Sequence, residues 1–458
     1  MARARRGDRL SVVIDDLAFG GEGVGRVDGY VVFVPGAIPG DQVQLRLVEA
    51  RARFGRGVVE AVERPSPDRV EAPCPYVGRC GGCRLQHVRY EAQLAFKTRQ
   101  VRDCLARIGG LADVELRPIL PAPAVFGYRN KMEFTVAPGA APGAPVTVGL
   151  HQAERYDAVL DVERCLLQSE RMNALLDEAR RFFAARGLPA YDQDSGEGLL
   201  RFLVLREGLH TGELMANVVT ASPAVSEVAP LAEALRARVP GTSSVVMNVN
   251  PRKASVAAGV EEHLLGGRDH IRETLGGLSF QVSAGSFFQT NTAQAERLFA
   301  LVLEAAALVE TDTAIDLYSG TGAISLLLAR RCRWVYGIEV APAAVADASR
   351  NAAANGVVNC SFVEGEVRHV LPALIARGVR ADVVVADPPR AGFHPKALRA
   401  LAGLAPGRLV YVSCNPATLA RDLAELVRGG YRLEWVQPVD MFPHTPHIEV
   451  VARLTRTP

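Results

Sequence analysis

The amino-acid sequence predicts an α/β protein in three parts: an N-terminal β-barrel, a central α+β domain and a C-terminal, Rossmann-like, doubly wound sheet. Three observations carry this reading. Short alternating apolar runs punctuated by glycines fill residues 8–64, the spacing of a small barrel of about five strands. Strand and helix patterns alternate from residue 281 onward, the signature of a parallel sheet covered by helices. A Gly-rich turn in AIDLYSGTGAISL, 314–326, joins a strand of that region to the next helix. Open α/β sheets receive their ligands at such turns.

The 458 residues exceed what one ordinary core organises. They divide into 1–64, 65–280 and 281–458. The barrel strands are read in SVVI, YVVFVPG, DQVQLRLVEA and GRGVVEAVE, and RPSPDRVEAP is a linker. Residues 90–108 have helical periodicity, with Leu94, Val101, Leu105 and Ile108 as the apolar positions. This helix can pack on the C-terminal domain. The central part mixes strand runs (RFLVLRE, ELMANVVT, SVVMNVN) with the helical SERMNALLDEARRFFAARG, and the Ala/Pro/Gly run 137–145 is expected as an exposed loop. In the last part, strands are expected at 313–318, 334–339, 382–387 and 408–413, and helices at 292–309, 322–331, 342–355 and 416–429.

The composition is that of an ordinary globular chain, 48% hydrophobic and 22% charged. No apolar run approaches the ~20 residues of a membrane span, and MARARRGDRLSVV lacks the apolar stretch of a signal peptide. A cytoplasmic, monomeric protein without membrane partners is expected. A net charge of +2 leaves any basic surface local, for example Arg51, Arg53 and Arg56, or Lys97, Arg99 and Arg102. Eight cysteines without a secretion signal favour metal binding or catalysis over disulfides.

Gly320 and Gly322 allow a ligand close to the backbone, and the following strand ends in Glu339, roughly 20 residues beyond Asp316, where an acidic group suits ribose hydroxyls. Dinucleotides and S-adenosylmethionine both fit. The G-T-G-A spacing lacks the third glycine of the dinucleotide fingerprint, so the turn looks like that of a class I methyltransferase. Asp387-Pro-Pro-Arg390 ends the strand ADVVVAD, at the edge where a target base lies. Arg390, in place of an aromatic residue, speaks against an exocyclic amine as target.

VSCNP places Cys414 at a strand end and a helix start. The helix dipole and free N–H groups there favour a thiolate, which suits a nucleophile. Carbon 5 of a pyrimidine needs such help, because thiolate addition at C6 makes C5 nucleophilic. A base must then remove the C5 proton. Glu449, between Ile448 and Val450, is an apolar-flanked carboxyl with the raised pKa such a base requires. His444 and His447 are expected to make structural hydrogen bonds.

Cys74, Cys80 and Cys83 form C-x5-C-x2-C. On spacing alone, zinc and an iron–sulfur cluster stand level, and the fourth ligand is open. Cys104, Cys332 and Cys360 are taken as ordinary thiols.

Together DLYSGTG, DPPRAG, SCNPATLARDL and HTPHIE resemble the RNA uracil-C5 methyltransferase family that makes 5-methyluridine. AGSFFQTN and FGYRNKMEF extend the likeness over most of the chain. The resemblance implies Cys414 as nucleophile and Glu449 as general base. It implies Gln289, Tyr318, Gly320, Glu339, Glu366 and Asp387 at S-adenosylmethionine, and Phe287 stacked on a flipped uracil. Arg129 and Lys131 would touch RNA phosphate. It further implies a [4Fe-4S] cluster held by Cys74, Cys80, Cys83 and Cys165, and an RNA-binding TRAM barrel at the N-terminus. The expected target is 23S ribosomal RNA, with the T-loop uridine of tRNA as the alternative. A non-catalytic RNA-binding iron–sulfur protein is the competing class.

Overall fold

The computed structural model describes residues 4–141 and 143–457. Residues 1–3 of the N-terminal stretch and residue 142 of the Ala/Pro/Gly run lie outside the described residues.

Five strands close the N-terminal barrel in the order Arg9–Leu17, Glu22–Val27, Tyr30–Pro35, Phe54–Arg64 and Gln42–Ala50. Their alternation turns Val12, Ile14, Val32, Val34, Val43, Leu45 and Leu47 into a core. The basic cluster expected here is partly spent on pairing, with Arg51 at 2.7 Å from Glu49 and Arg56 at 3.0 Å from Glu22.

The central sheet has seven strands, in the order Glu261–Gly267, Thr242–Val249, Leu214–Thr220, Leu200–Glu207, Lys131–Ala137, Thr147–Gln152 and Arg155–Asp161. The helix Glu170–Arg186 packs its buried Met172, Leu175, Leu176, Ala179 and Phe183 into the core of this domain. Ser169 caps its start and Gly187, with φ +59°, ends it.

The C-terminal sheet has eight strands. Cys360–Glu364, Trp334–Glu339, Thr313–Leu317, Val383–Ala386 and Arg408–Ser413 run parallel, in that spatial order. The expectation of a wholly parallel sheet needs correction at the next strand. Glu449–Arg456 inserts antiparallel between Arg408–Ser413 and Tyr431–Val439. A hairpin has too short a connection to cross over, so its return strand must run antiparallel. Glu449 therefore opens an interior strand, not an edge.

The helix Tyr90–Arg107 packs on Pro416–Arg428, and Glu115–Leu116 pairs with Tyr431–Val439. Residues 90–116 thus build onto the C-terminal sheet. Val101 and Leu105 sit in its core, each contributing about 1.5–3 kcal/mol. Two readings of this helix are corrected. Ile108 lies just past the helix end and is 51% exposed. Lys97 adds nothing to a basic surface, because it is buried against Asp440. The hairpin His270–Leu275 and Leu278–Ser283 also buries Ile271, Leu275, Leu278 and Phe280 in the C-terminal core, although the division at residue 280 assigned it to the central domain. Among the described residues no helix is long and apolar enough to cross a membrane.

Candidate active site

The carboxyl ends of the parallel strands converge on the turn after Thr313–Leu317. Asp316 is buried, and its Oδ2 accepts from Ser325 Oγ at 2.5 Å. Its Oδ1 and the nearby Ser319 Oγ are buried without partners. Unpaired buried polar atoms are costly, which marks a place where a polar ligand is to be met. Gly322 has φ +85°, and a Cβ there would lie 2.9 Å from the Phe362 ring. At Gly320, φ +54°, a Cβ would meet nothing within 4 Å, so space stands open beside that backbone. Tyr318, two residues before Gly320, holds φ +66°, the kind of strain that collects at ligand sites. Glu339 accepts from Gly320 N at 3.0 Å and from Ala341 N at 2.9 Å.

Two cavities meet at Tyr318. One of about 60 Å³ is lined by Phe287, Gln289, Gly320 and Asp387 as well as Tyr318. The other, about 460 Å³, is lined by Ile338, Glu366 and Val367. An apolar slot with carboxylates at its strand ends suits S-adenosylmethionine, whose adenine needs flat apolar walls and whose ribose needs acceptors. Glu366 stands exposed and pairs with Arg368.

The strand register decides the chemistry. Ser413 faces Val450 in the antiparallel ladder, which brings the turn that carries Cys414 beside the start of the strand that opens with Glu449, close enough for the carboxyl to act on the thiol. Burial raises the Glu449 carboxyl well above its ordinary pKa, and Asp387 nearby adds to the effect. Burial likewise holds Asp387 at about 7. Sequence reasoning expected the helix dipole to favour the Cys414 thiolate. The local environment works the other way: burial, then Glu449 and Asp387, push the thiol up to about 11, with Arg390 opposing them. His447 is held down to about 4 by burial and by neighbouring Arg390 and Arg129, so it is a neutral imidazole at neutral pH. The arrangement is a thiol, a buried carboxyl of raised pKa and a cofactor slot around one point.

Comparison with known proteins agrees. The family described as tRNA (Uracil-5-)-methyltransferase matches residues 256–457, and the TRAM domain matches residues 3–59. An RNA methyltransferase of Halalkalibacterium halodurans is 42% identical over 99% of this chain and 98% of its own. The chain belongs to the RNA uracil-5 methyltransferase family. A relative from Gloeobacter violaceus, also described as an RNA methyltransferase, is 42% identical over 99% of this chain and 97% of its own. The structure of Pyrococcus abyssi tRNA (uracil-54, C5)-methyltransferase in complex with S-adenosyl-L-homocysteine is 33% identical, with a TM-score of 0.77, and covers 97% of this chain and 99% of its own. The protein is thus an S-adenosylmethionine-dependent RNA methyltransferase with a TRAM barrel.

Elsewhere in this methyltransferase, Cys74, Cys80, Cys83 and Cys165 line one cavity of about 240 Å³. Burial, followed by repulsion from Cys165, Cys80 and Cys74, raises Cys83 to about 12. Among the described residues, no three His, Cys, Asp or Glu side chains stand as a ready-made ion site. The donor set itself, four sulfurs on one cavity, fits zinc or an iron–sulfur cluster. Arg129 and Lys131, expected at RNA phosphate, line the same cavity, and Lys131 is bonded to Glu133 at 2.5 Å.

Phe287 is 69% exposed and hangs over the cofactor slot. The loop that carries it is braced by residues that sequence reasoning missed. Arg206, buried in Leu200–Glu207, donates to Ala284 O at 3.1 Å and Ser286 O at 2.5 Å. Asn130 Nδ2 donates to Gln289 O at 2.9 Å. The available signal for Arg206 was weak: it is a charged residue in a mostly apolar, buried strand that also carries Arg201 and Glu207.

Proposed function

We propose that this enzyme methylates C5 of a uridine in structured RNA through a covalent bond between Cys414 Sγ and C6 of the base. The observation that carries it is the juxtaposition of Cys414 with Glu449 beside Asp387. S-adenosylmethionine supplies an electrophilic methyl group when bound, in the slot bounded by Gln289, Tyr318, Gly320, Glu339 and Asp387, with Glu366 on the adenine side. Phe287 stacks on the flipped uracil. Cys414 loses its thiol proton to solvent, the thiolate adds to C6, and the electron pair moves to the C4 carbonyl as an enolate. C5 is thereby made nucleophilic and takes the methyl group. Glu449, as its carboxylate, then takes the C5 proton, the C6–S bond breaks, and the thiolate is restored.

Arg129 and Lys131 are assigned to RNA phosphate. The four-cysteine cavity is assigned to a [4Fe-4S] cluster, a role its sulfur-only donors support. Cavity and barrel together support a 23S ribosomal RNA target, by likeness to family members that carry both. The similarity to the Pyrococcus abyssi enzyme favours a second reading, the T-loop uridine of tRNA. Mapping 5-methyluridine in ribosomal and transfer RNA from a deletion strain separates the two. Loss of the mark from 23S RNA supports the first reading, and loss from tRNA alone overturns it.

A further inference from the structure

The loop 440–448 joins Tyr431–Val439 to the strand that opens with Glu449. Its middle residue, His444, has φ +65°, a left-handed conformation that an L side chain keeps only where its surroundings impose it. Those surroundings are almost entirely residues 84–93. His444 N donates to Gln93 Oε1 at 2.9 Å. His444 O accepts from Arg84 N at 3.0 Å and Leu85 N at 2.9 Å. Gln93 Nε2 lies 3.2 Å from His444 Nδ1, and the ring stacks on Phe126 with centroids 4.4 Å apart. Gln93 itself is 0% exposed, and its amide also reaches Leu85 O at 3.0 Å and Val88 O at 2.8 Å.

Beyond His444, the hydrogen bonds of residues 445–448 stay inside the loop: Thr445 to Phe442 and His447 to Thr445. Among the described residues His444 is therefore the last one before Glu449 that hydrogen-bonds outside the loop, while Ile448 packs in the C-terminal core and Glu449 pairs with Val439. We propose that Gln93 is a positioning residue for Glu449, acting through His444. The proposal rests on the assignment of Glu449 as the base. Gln93 holds the loop from the segment that begins at Cys83, so the cysteine cavity and the base share one seam of backbone.

The test uses the full-length protein with a structured RNA substrate and S-adenosylmethionine. Gln93→Leu keeps the volume and removes both hydrogen-bonding ends. A misplaced base slows elimination more than thiol addition. Turnover should fall about 10- to 100-fold, while S-adenosylmethionine affinity stays unchanged and the gel-stable RNA–protein adduct accumulates. Gln93→Glu, neutral when buried, restores one donor and one acceptor and should recover part of the turnover. Wild-type turnover and adduct level in Gln93→Leu overturn the proposal. So does a parallel fall of turnover, cofactor affinity and adduct, or a Gln93→Glu variant no better than Gln93→Leu. Glu449→Gln serves as control: if it accumulates no adduct, the assignment of the base fails first, and the role of Gln93 falls with it.

Discussion

Lys97 Nζ lies 2.6 Å from Asp440 Oδ1, and the two side chains are 2% and 0% exposed. Tyr90 OH donates to the other carboxylate oxygen at 2.8 Å, and Lys97 also reaches Phe442 O at 3.2 Å. The pair pins the helix Tyr90–Arg107 to the first half of the loop that leads to Glu449. Burial pulls the Lys97 pKa down, and Asp440 opposes that fall.

Removing only one partner leaves the other charge buried and uncompensated. Lys97→Met should destabilise the protein by about 3–5 kcal/mol, read from the denaturant midpoint. Lys97→Met with Asp440→Leu should recover much of the loss. A single mutant within about 0.5 kcal/mol of wild type would show that the pair does not hold the loop.

The reactivity of Cys414 should report its surroundings. With the thiol held at about 11, alkylation of the ligand-free enzyme should rise about tenfold per pH unit across neutrality, since only the thiolate reacts. Glu449→Gln removes a carboxyl that raises the thiol and should shift the profile to lower pH. A plateau near the ordinary thiol value of about 8.5 would contradict the geometry. Alkylation at each pH, followed by mass spectrometry of the Cys414 peptide, gives the profile.

Asp387 holds its proton up to about 7 in the folded chain because it is buried. It binds that proton more tightly folded than unfolded, so its contribution to stability is complete below about pH 4 and is lost as pH rises toward 7. Buried His87, His444 and His447, all held down to about 4, act in the opposite sense. The readout is therefore a difference. The stability of wild type relative to Asp387→Asn should fall between about pH 4 and 7 in the absence of cofactor, as followed by thermal unfolding. A flat or rising difference would contradict the buried, proton-holding state of Asp387.

The cysteine cavity makes its own prediction. Anaerobically purified protein should carry iron and acid-labile sulfide, and serine at Cys74, Cys80, Cys83 or Cys165 should release them. Serine at Cys104 should not, since that thiol is absent from the cavity lining. Four freely titrating thiols in native, metal-free protein would contradict the assignment.

The fold class and the barrel were legible because alternation and strand–helix order are local signals. The Gly320–Gly322 turn was legible because its glycines are needed for positive φ, and Glu339 stands beside it, accepting from Gly320 N. The antiparallel insertion of Glu449–Arg456 was not, since strand order depends on pairing far along the chain. That same insertion brings Glu449 beside the strand end that carries Cys414. The Cys414 pKa was misread for a related reason. The helix start is visible in SCNP, whereas Asp387 and Glu449 arrive from distant strands. The contacts of Gln93 and Arg206 were not legible because each reaches partners far along the chain, His444 for the first and Ala284 and Ser286 for the second.

The proposed chemistry turns on a covalent step at Cys414 that Glu449 resolves. The direct test is Glu449→Gln incubated with structured RNA and S-adenosylmethionine, then run on a denaturing gel and digested for mass spectrometry. An RNA–protein adduct joined at Cys414 and carrying a methylated uracil is expected, and Cys414→Ala should form no adduct and no product. Normal methylation by Cys414→Ala, or an adduct at any other residue, would contradict it.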